Sequence, residues 1–232
     1  MTVQLKPVVV EDAAAVAEAG AAWTAERITS AVSQRGACYL ALAGGETPRG
    51  CYQRLAGEPY QHSLPWDRVH VYWSDERQVP LDDPASNYGM AKAALLDRVP
   101  IPGGQLHPLV GEPTAALRQV PTGPGGFPRF DLIHLGLGED GHTASLFPGD
   151  PALKEQQAWV RAVRAVKPPP DRLTLTFPVL NDARAVLFLV QGEGKRRPLA
   201  GVMARDASLP ASRVQPAGGE LRFIVDRAAW PV

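Results

Sequence analysis

Small and apolar positions recur with helical spacing from Glu11 to Arg35, with few breakers before Gly36, which predicts one helix over 11–35. The rhythm then shortens. Residues 38–43, Cys-Tyr-Leu-Ala-Leu-Ala, form an apolar run of strand length, broken by Gly44-Gly45. Thr47 suits an N-cap and Pro48 a first helical position, so a second helix is expected through about Leu55. A second strand is predicted at 69–73, ending on the charged cluster Asp75-Glu76-Arg77. A loop containing Pro80 and Pro84 leads to a helix from about Ser86 to Asp97. Residues 104–130 lack a clear period, and Pro121 to Gly126 reads as a surface loop. Further strands are expected at 131–135, 159–164, 172–177, 185–190 and 221–225, with a helix after Gly194.

Strands alternating with helices predict an α/β layered fold with a largely parallel sheet flanked by helices. Ligands in such folds bind beyond the carboxyl ends of the strands. Four unusual turns fall at those positions, after residues 43, 73, 135 and 190. The 232 residues suit one large domain or two small ones, and no repeat or low-complexity linker divides them, so the chain is read as one domain, 1–232.

Composition narrows the partners. Lys plus Arg equals Asp plus Glu, 24 of each, which disfavours duplex nucleic acid and anionic membranes but leaves room for a small anion held by two or three local cations. Lys6 and Pro7 are followed by only a short apolar stretch before Glu11 and Asp12, unlike a signal peptide, and no run approaches a spanning helix. Cys38 and Cys51 lack metal-ligand spacing and are expected as reduced, packed thiols, consistent with a cytoplasmic protein.

The turns carry the candidate chemistry. Ala43-Gly44-Gly45-Glu46-Thr47-Pro48 lets backbone amides approach an anion, and a following helix start would add free donors. Gly192-Glu193-Gly194-Lys195 repeats the theme with a point charge; it is not a Walker A loop, because Leu189 and Arg196 stand where Gly and Ser/Thr are required. Arg77 is suited to a phosphate or an oxyanion, with the two neighbouring carboxylates orienting it. Gly136 to Gly141 matches G-x-G-x-x-G, but His142 follows at once and Pro148 leaves no room for the receiving helix, so a dinucleotide site is rejected. The loop is read instead as presenting Asp140 and His142, an Asp placed to hold an imidazole tautomer. His134 and His70 lie in strands, His62 and His107 in loops. Neither a G-x-S-x-G elbow nor an H-E-x-x-H set occurs. The inventory suits general-base attack by water on an activated carbonyl of a phosphorylated substrate, and equally proton shuttling in sugar-phosphate isomerisation.

The stretch Leu135-Gly136-Leu137-Gly138-Glu139-Asp140-Gly141-His142-Thr143-Ala144-Ser145-Leu146-Phe147-Pro148 resembles the signature of 6-phosphogluconolactonases. Further blocks of that family are matched by Trp73 to Arg77 with Ser86-Asn87-Tyr88, by Pro169-Pro170 with Arg172 to Thr176, by Val186 to Lys195, and by Leu209 to Ser212. The resemblance implies a Rossmann-like fold similar to glucosamine-6-phosphate deaminase. It implies hydrolysis of a phosphorylated sugar lactone in the oxidative pentose phosphate pathway without cofactor or metal, by a monomer or small homo-oligomer. His142 would be the base that activates water, and Asp140 its partner or a ligand of a substrate hydroxyl. Arg77, Lys195 and the turn of Gly44, Gly45 and Thr47 would hold the phosphate or the oxyanion, with Asp75 also on the substrate. Ala43 and Glu46 depart from the small hydroxyl residues usual around the Gly-Gly pair, and the helix usual before the third strand is expected to be shrunken between Glu112 and Arg129. The alternatives are a glucosamine-6-phosphate deaminase, whose loop typically continues as Ile-Ala-Phe-Asn-Glu rather than Thr-Ala-Ser-Leu-Phe-Pro, and a sugar-phosphate sensing domain.

Overall fold

The computed structural model describes residues 5–231. The chain runs β1 (Lys6–Val10), α1 (Ala13–Arg35), β2 (Cys38–Leu42), α2 (Glu46–Leu55), α3 (Tyr60–Ser63), β3 (Val69–Trp73), β4 (Asp75–Arg77), α4 (Asn87–Ala91), α5 (Pro113–Leu117), β5 (Leu132–Leu135), β6 (Val160–Arg164), β7 (Asp171–Leu175), α6 (Phe177–Asp182), β8 (Ala185–Val190), α7 (Arg196–Met203) and β9 (Glu220–Asp226). Six strands form a parallel sheet in the order β3-β2-β5-β8-β9-β1. From β2 the chain steps outward to β3, then crosses back to β5 on the other side of β2. Loops after β2 and β5 therefore diverge, leaving a crevice at their carboxyl ends, the usual ligand position in doubly wound sheets.

Each central strand is buried on both faces, which is why it reads as a continuous apolar run. In β8, Leu187 and Leu189 pack toward α1 and α2, while Val186, Phe188 and Val190 join the core under α6 and α7. Helix α1 starts on Asp12, whose side chain accepts from the Ala15 amide at 2.9 Å, and ends at Gly36. Cys38 and Cys51 are buried free thiols, and burial pushes both up, Cys51 to about 12.

Several expectations are corrected. The strands expected at 159–164 and 172–177 form, as β6 and β7, the second ending at Leu175 rather than 177, and they lie outside the parallel sheet in a separate antiparallel one, β4-β7-β6. The Asp75-Glu76-Arg77 cluster is its first strand rather than a turn. Strand β1 was not predicted: its Val8 and Val9 are exposed, and it exists by pairing with the distant β9. The helix expected from Ser86 to Asp97 is α4, N-capped by Ser86, followed by one π-helical stretch, Lys92–Leu96. Thr47 is not the N-cap of α2; Gly45 takes that position, the helix starts at Glu46, and Pro48 is its third residue. The region before β5 holds only the five-residue α5, as its composition implied.

His134 in β5 is fully buried, and its Nε2 lies 2.9 Å from the Thr24 hydroxyl. That hydroxyl donates to the Gly20 carbonyl at 2.7 Å, so Nε2–H must be the donor to Thr24, and Nδ1 is left without a partner. Burial pushes the imidazole pKa down to about 3. The unfolded chain takes up this proton near pH 6.5, the ordinary value, so the stabilisation is complete above that pH and is lost as pH falls toward 3. At pH 5 the loss from this group is about 2 kcal/mol relative to pH 8. Denaturant unfolding at the two pH values should therefore show a drop in wild type exceeding that of His134→Gln by about this amount; equal drops would show that His134 does not carry it.

Candidate active site

The crevice at the ends of β2 and β5 is a cleft of about 370 Å³ lined by Gly44, Gly45, Thr47, Asp75, Arg77, Asn87, Gly138, His142, Arg172 and Lys195, among others. A broader depression of about 980 Å³ runs along β6 and the 150–157 segment. It shares Arg172 but holds neither the histidine nor the glycine turns, so the chemistry belongs to the smaller cleft.

The loop after β5 supplies the base. His142 Nδ1 lies 2.5 Å from Asp140 Oδ1, and the His142 amide donates to the same oxygen at 3.1 Å. An ionised carboxylate only accepts, so Nδ1 carries the proton and Nε2 keeps its lone pair. Desolvation pushes the Asp140 carboxyl up, but the His142 amide and ring outweigh it and hold it below the ordinary value. The ring packs over Gly138, where a Cβ would fall 2.0 Å from Nδ1, and against Phe147 at a centroid distance of 4.8 Å. Ala144, which lines the cleft, turns the loop with a left-handed φ of 48°, a conformation that costs a non-glycine residue roughly 1–2 kcal/mol.

The turn after β2 supplies donors. Gly45 has φ 102°, a conformation side chains rarely adopt. The first backbone bond of α2 runs from the Arg49 amide to the Gly45 carbonyl at 3.1 Å, so the amides of Glu46 and Thr47 ahead of it have no intrahelical partner. Gly44 is needed for a different reason: a Cβ there would fall 1.9 Å from Asn87 Oδ1. Glu46 stands at the rim of the cleft, where its side chain is 74% exposed and pairs with Arg49 at 3.3 Å. Accordingly, Glu46→Ser should change KM by less than about threefold; a tenfold drop at unchanged kcat would mean that Glu46 faces the bound anion.

The second sheet brings the cations. Arg77 and Arg172 are cross-strand partners in β4 and β7. Like charges directly opposite one another are destabilising, so the pair points to an anion between or above them. Arg77 donates to the Ala85 carbonyl, and its buried Nε has no partner. Arg172 donates to the carbonyls of Pro169 at 3.2 Å and Lys167 at 3.4 Å; desolvation and the neighbouring Arg77 push its pKa down. Lys195 enters from the turn after β8, a 3-10 segment at Glu193–Lys195, with no ion-pair partner among the described residues.

The two acidic residues of β4 do not orient Arg77 as expected. Glu76 is fully buried and accepts the amides of Arg77, Asn87 and Tyr88, each at 2.7 Å, so it organises the start of α4. Desolvation raises its pKa, and those amides offset only part of the rise. Asp75 is clamped by Ser145 Oγ at 2.6 Å and by Asn87 Nδ2 at 3.3 Å. All the expected site residues thus line one cleft except Asp140, which acts on His142 from behind. Sequence reasoning missed Arg172, Asn87 and Ser145 as parts of the site. Each stood in a quoted motif, but only the pairing of β4 with β7, the packing of α4 and the docking of the loop after β5 onto β7 bring them to Asp75 and Arg77. Among the described residues no group of three or more His, Cys, Asp or Glu could hold a metal ion, and no helix is long and apolar enough to cross a membrane.

Comparison with known proteins identifies the family. A family model described as glucosamine-6-phosphate isomerases/6-phosphogluconolactonase matches residues 11–223. A 6-phosphogluconolactonase of Synechocystis is 43% identical over 222 residues, 88% of each chain. The solved 6-phosphogluconolactonase of Trypanosoma brucei superposes with a TM-score of 0.86 at 29% identity, covering 98% of each chain. A glucosamine-6-phosphate deaminase of the NagB superfamily shares the fold, with a TM-score of 0.78 at 18% identity over 97% of this chain and 98% of its own. By this match over most of its length, the chain belongs to the glucosamine-6-phosphate isomerase/6-phosphogluconolactonase family.

Proposed function

We propose that this protein hydrolyses 6-phospho-glucono-1,5-lactone to 6-phosphogluconate. The observation that carries the reading is the His142–Asp140 pair, 2.5 Å apart, opening onto a cleft that also presents Arg77, Arg172, Lys195 and the Gly44-Gly45 turn. His142 Nε2 takes a proton from water as its oxygen attacks the lactone carbonyl carbon. The carbonyl oxygen becomes an oxyanion, stabilised by a cationic donor of the cleft. Collapse of the tetrahedral intermediate breaks the bond to the ring oxygen, which receives the proton from the imidazolium. The acid product then ionises and leaves. Asp140 stabilises the imidazolium between the two transfers, while the remaining cations and the free amides of the turn after β2 hold the phosphate.

Support comes from residues 143–148 as well, which follow the lactonase rather than the deaminase pattern. The test is to generate the phosphorylated lactone in situ and follow its disappearance with and without protein, in the presence of a strong chelator. Accelerated hydrolysis that the chelator leaves unchanged is expected. No acceleration, or ammonia release from glucosamine 6-phosphate instead, would overturn the reading.

A further inference from the structure

We propose that Asp226, at the end of β9, is a positioning residue that sets the phosphate turn carrying Lys195. This rests on the proposed function, with Lys195 taken as one of the cations that hold the phosphate. Asp226 is 5% exposed, and no cation pairs with it among the described residues. Both of its oxygens accept the Gly192 amide at 3.0 Å, and Oδ1 also accepts the Ala229 amide at 2.8 Å. Gly192 has φ 91°, and its carbonyl accepts the Lys195 amide at 3.0 Å, which closes the turn. The carboxylate thus fixes the first residue of a turn whose last residue is the lysine. A second tie runs the same way: the Arg196 guanidinium donates to the Ala228 carbonyl at 3.1 Å.

A buried, unpaired negative charge beside an anion-binding turn opposes binding of the anion. Its use here lies in acceptor geometry: two oxygens facing one amide hold the turn at a set height. Asparagine, nearly the same shape, would put an NH₂ against the Gly192 N–H and leave a donor facing a donor. A second buried carboxylate offers a matched control. Asp182 accepts the amides of Gly125 at 3.1 Å and Phe127 at 3.3 Å, holding the Pro/Gly loop, which does not line the cleft.

The experiment compares Asp226→Asn, Asp182→Asn and Lys195→Ala. For each, kcat and KM are measured on 6-phosphogluconolactone and on non-phosphorylated gluconolactone, with Tm alongside. Asp226→Asn should raise KM for the phosphorylated lactone about tenfold with kcat changed less than about threefold, and so lower the preference for the phosphorylated lactone about fivefold or more. Asp182→Asn should lower Tm and leave that preference within about twofold, because loss of stability alone does not single out the phosphate. If Lys195→Ala collapses the preference and Asp226→Asn leaves it within about twofold, the positioning role is wrong. If Lys195→Ala leaves it unchanged, Lys195 is not a phosphate ligand and the role of Asp226 falls with it. Should Asp226→Asn fail to fold, Asp226→Glu, which keeps the charge but moves the oxygens by one methylene, must show the same loss of preference; an unchanged preference overturns the proposal.

Discussion

His142→Ala is expected to lower kcat for the phosphorylated lactone by about 10²–10⁴-fold, the range a positioned general base contributes. Water is a poor nucleophile, and the cleft offers no second imidazole to take its proton: His134 is buried in the core, while His62, His70 and His107 do not line the cleft. Asp140 is 2.5 Å from Nδ1, so it is spent on the ring and already held in the ionised form. The substitution removes a side chain that is nearly a third exposed and contacts Phe147 and Asp140, so the fold should survive. Binding of 6-phosphogluconate should survive with it, because the cations and the glycine turn proposed to hold the phosphate lie on other loops and strands. Asp140→Asn keeps an acceptor oxygen but loses the charge that stabilises the imidazolium, and should cost less than His142→Ala. Steady-state kinetics decide the matter: a His142→Ala enzyme keeping more than about a tenth of wild-type kcat would remove His142 from the role of base.

Removing the phosphate from the substrate should have an effect of similar size. Gluconolactone carries the same reacting carbonyl, so only remote binding is lost, and remote binding is what positions the carbonyl against the base. A hydrogen bond to a charged group contributes about 1.5–3 kcal/mol. Two such contacts, a minimum for a cleft with three cations and free helix-start amides, amount to about 4 kcal/mol, or about 10³-fold in kcat/KM. Lys195→Ala should recover part of this by lowering the phosphorylated rate alone, narrowing the gap by about tenfold or more. Equal kcat/KM for the two lactones in wild type would exclude a phosphate site in this cleft.

The loop from Gly136 to His142 was legible because its chemistry is local. Asp140 and His142 are two residues apart, and their contact needs only a tight turn, which Gly138 and Gly141 permit. Arg172 was not legible as a partner of Arg77, since ninety-five positions separate them and nothing near either residue encodes the register of β4 on β7. Glu76 was misread for the same reason: beside Arg77 in sequence it looks like an ion-pair partner, yet the strand turns it into the core, where the amides at the start of α4 claim it. Thr47 illustrates a smaller error. Side-chain preference favoured it as a cap, but the positive-φ Gly45 ends the loop and starts the helix two residues earlier than a Thr47 cap would.

By itself the sequence determined which segments could be buried and which turns could approach an anion. Buried parallel strands must be continuously apolar, and close backbone approach needs glycine, so both leave marks within a few residues. Only the tertiary structure decided that β6 and β7 lie outside the parallel sheet, that β1 adds to it as an edge strand, and that Arg172, Asn87 and Ser145 meet at Asp75 and Arg77. Those outcomes depend on the pairing of strands far apart in the chain, and pairing is settled by the total burial and hydrogen bonding of both partners, which neither segment carries alone.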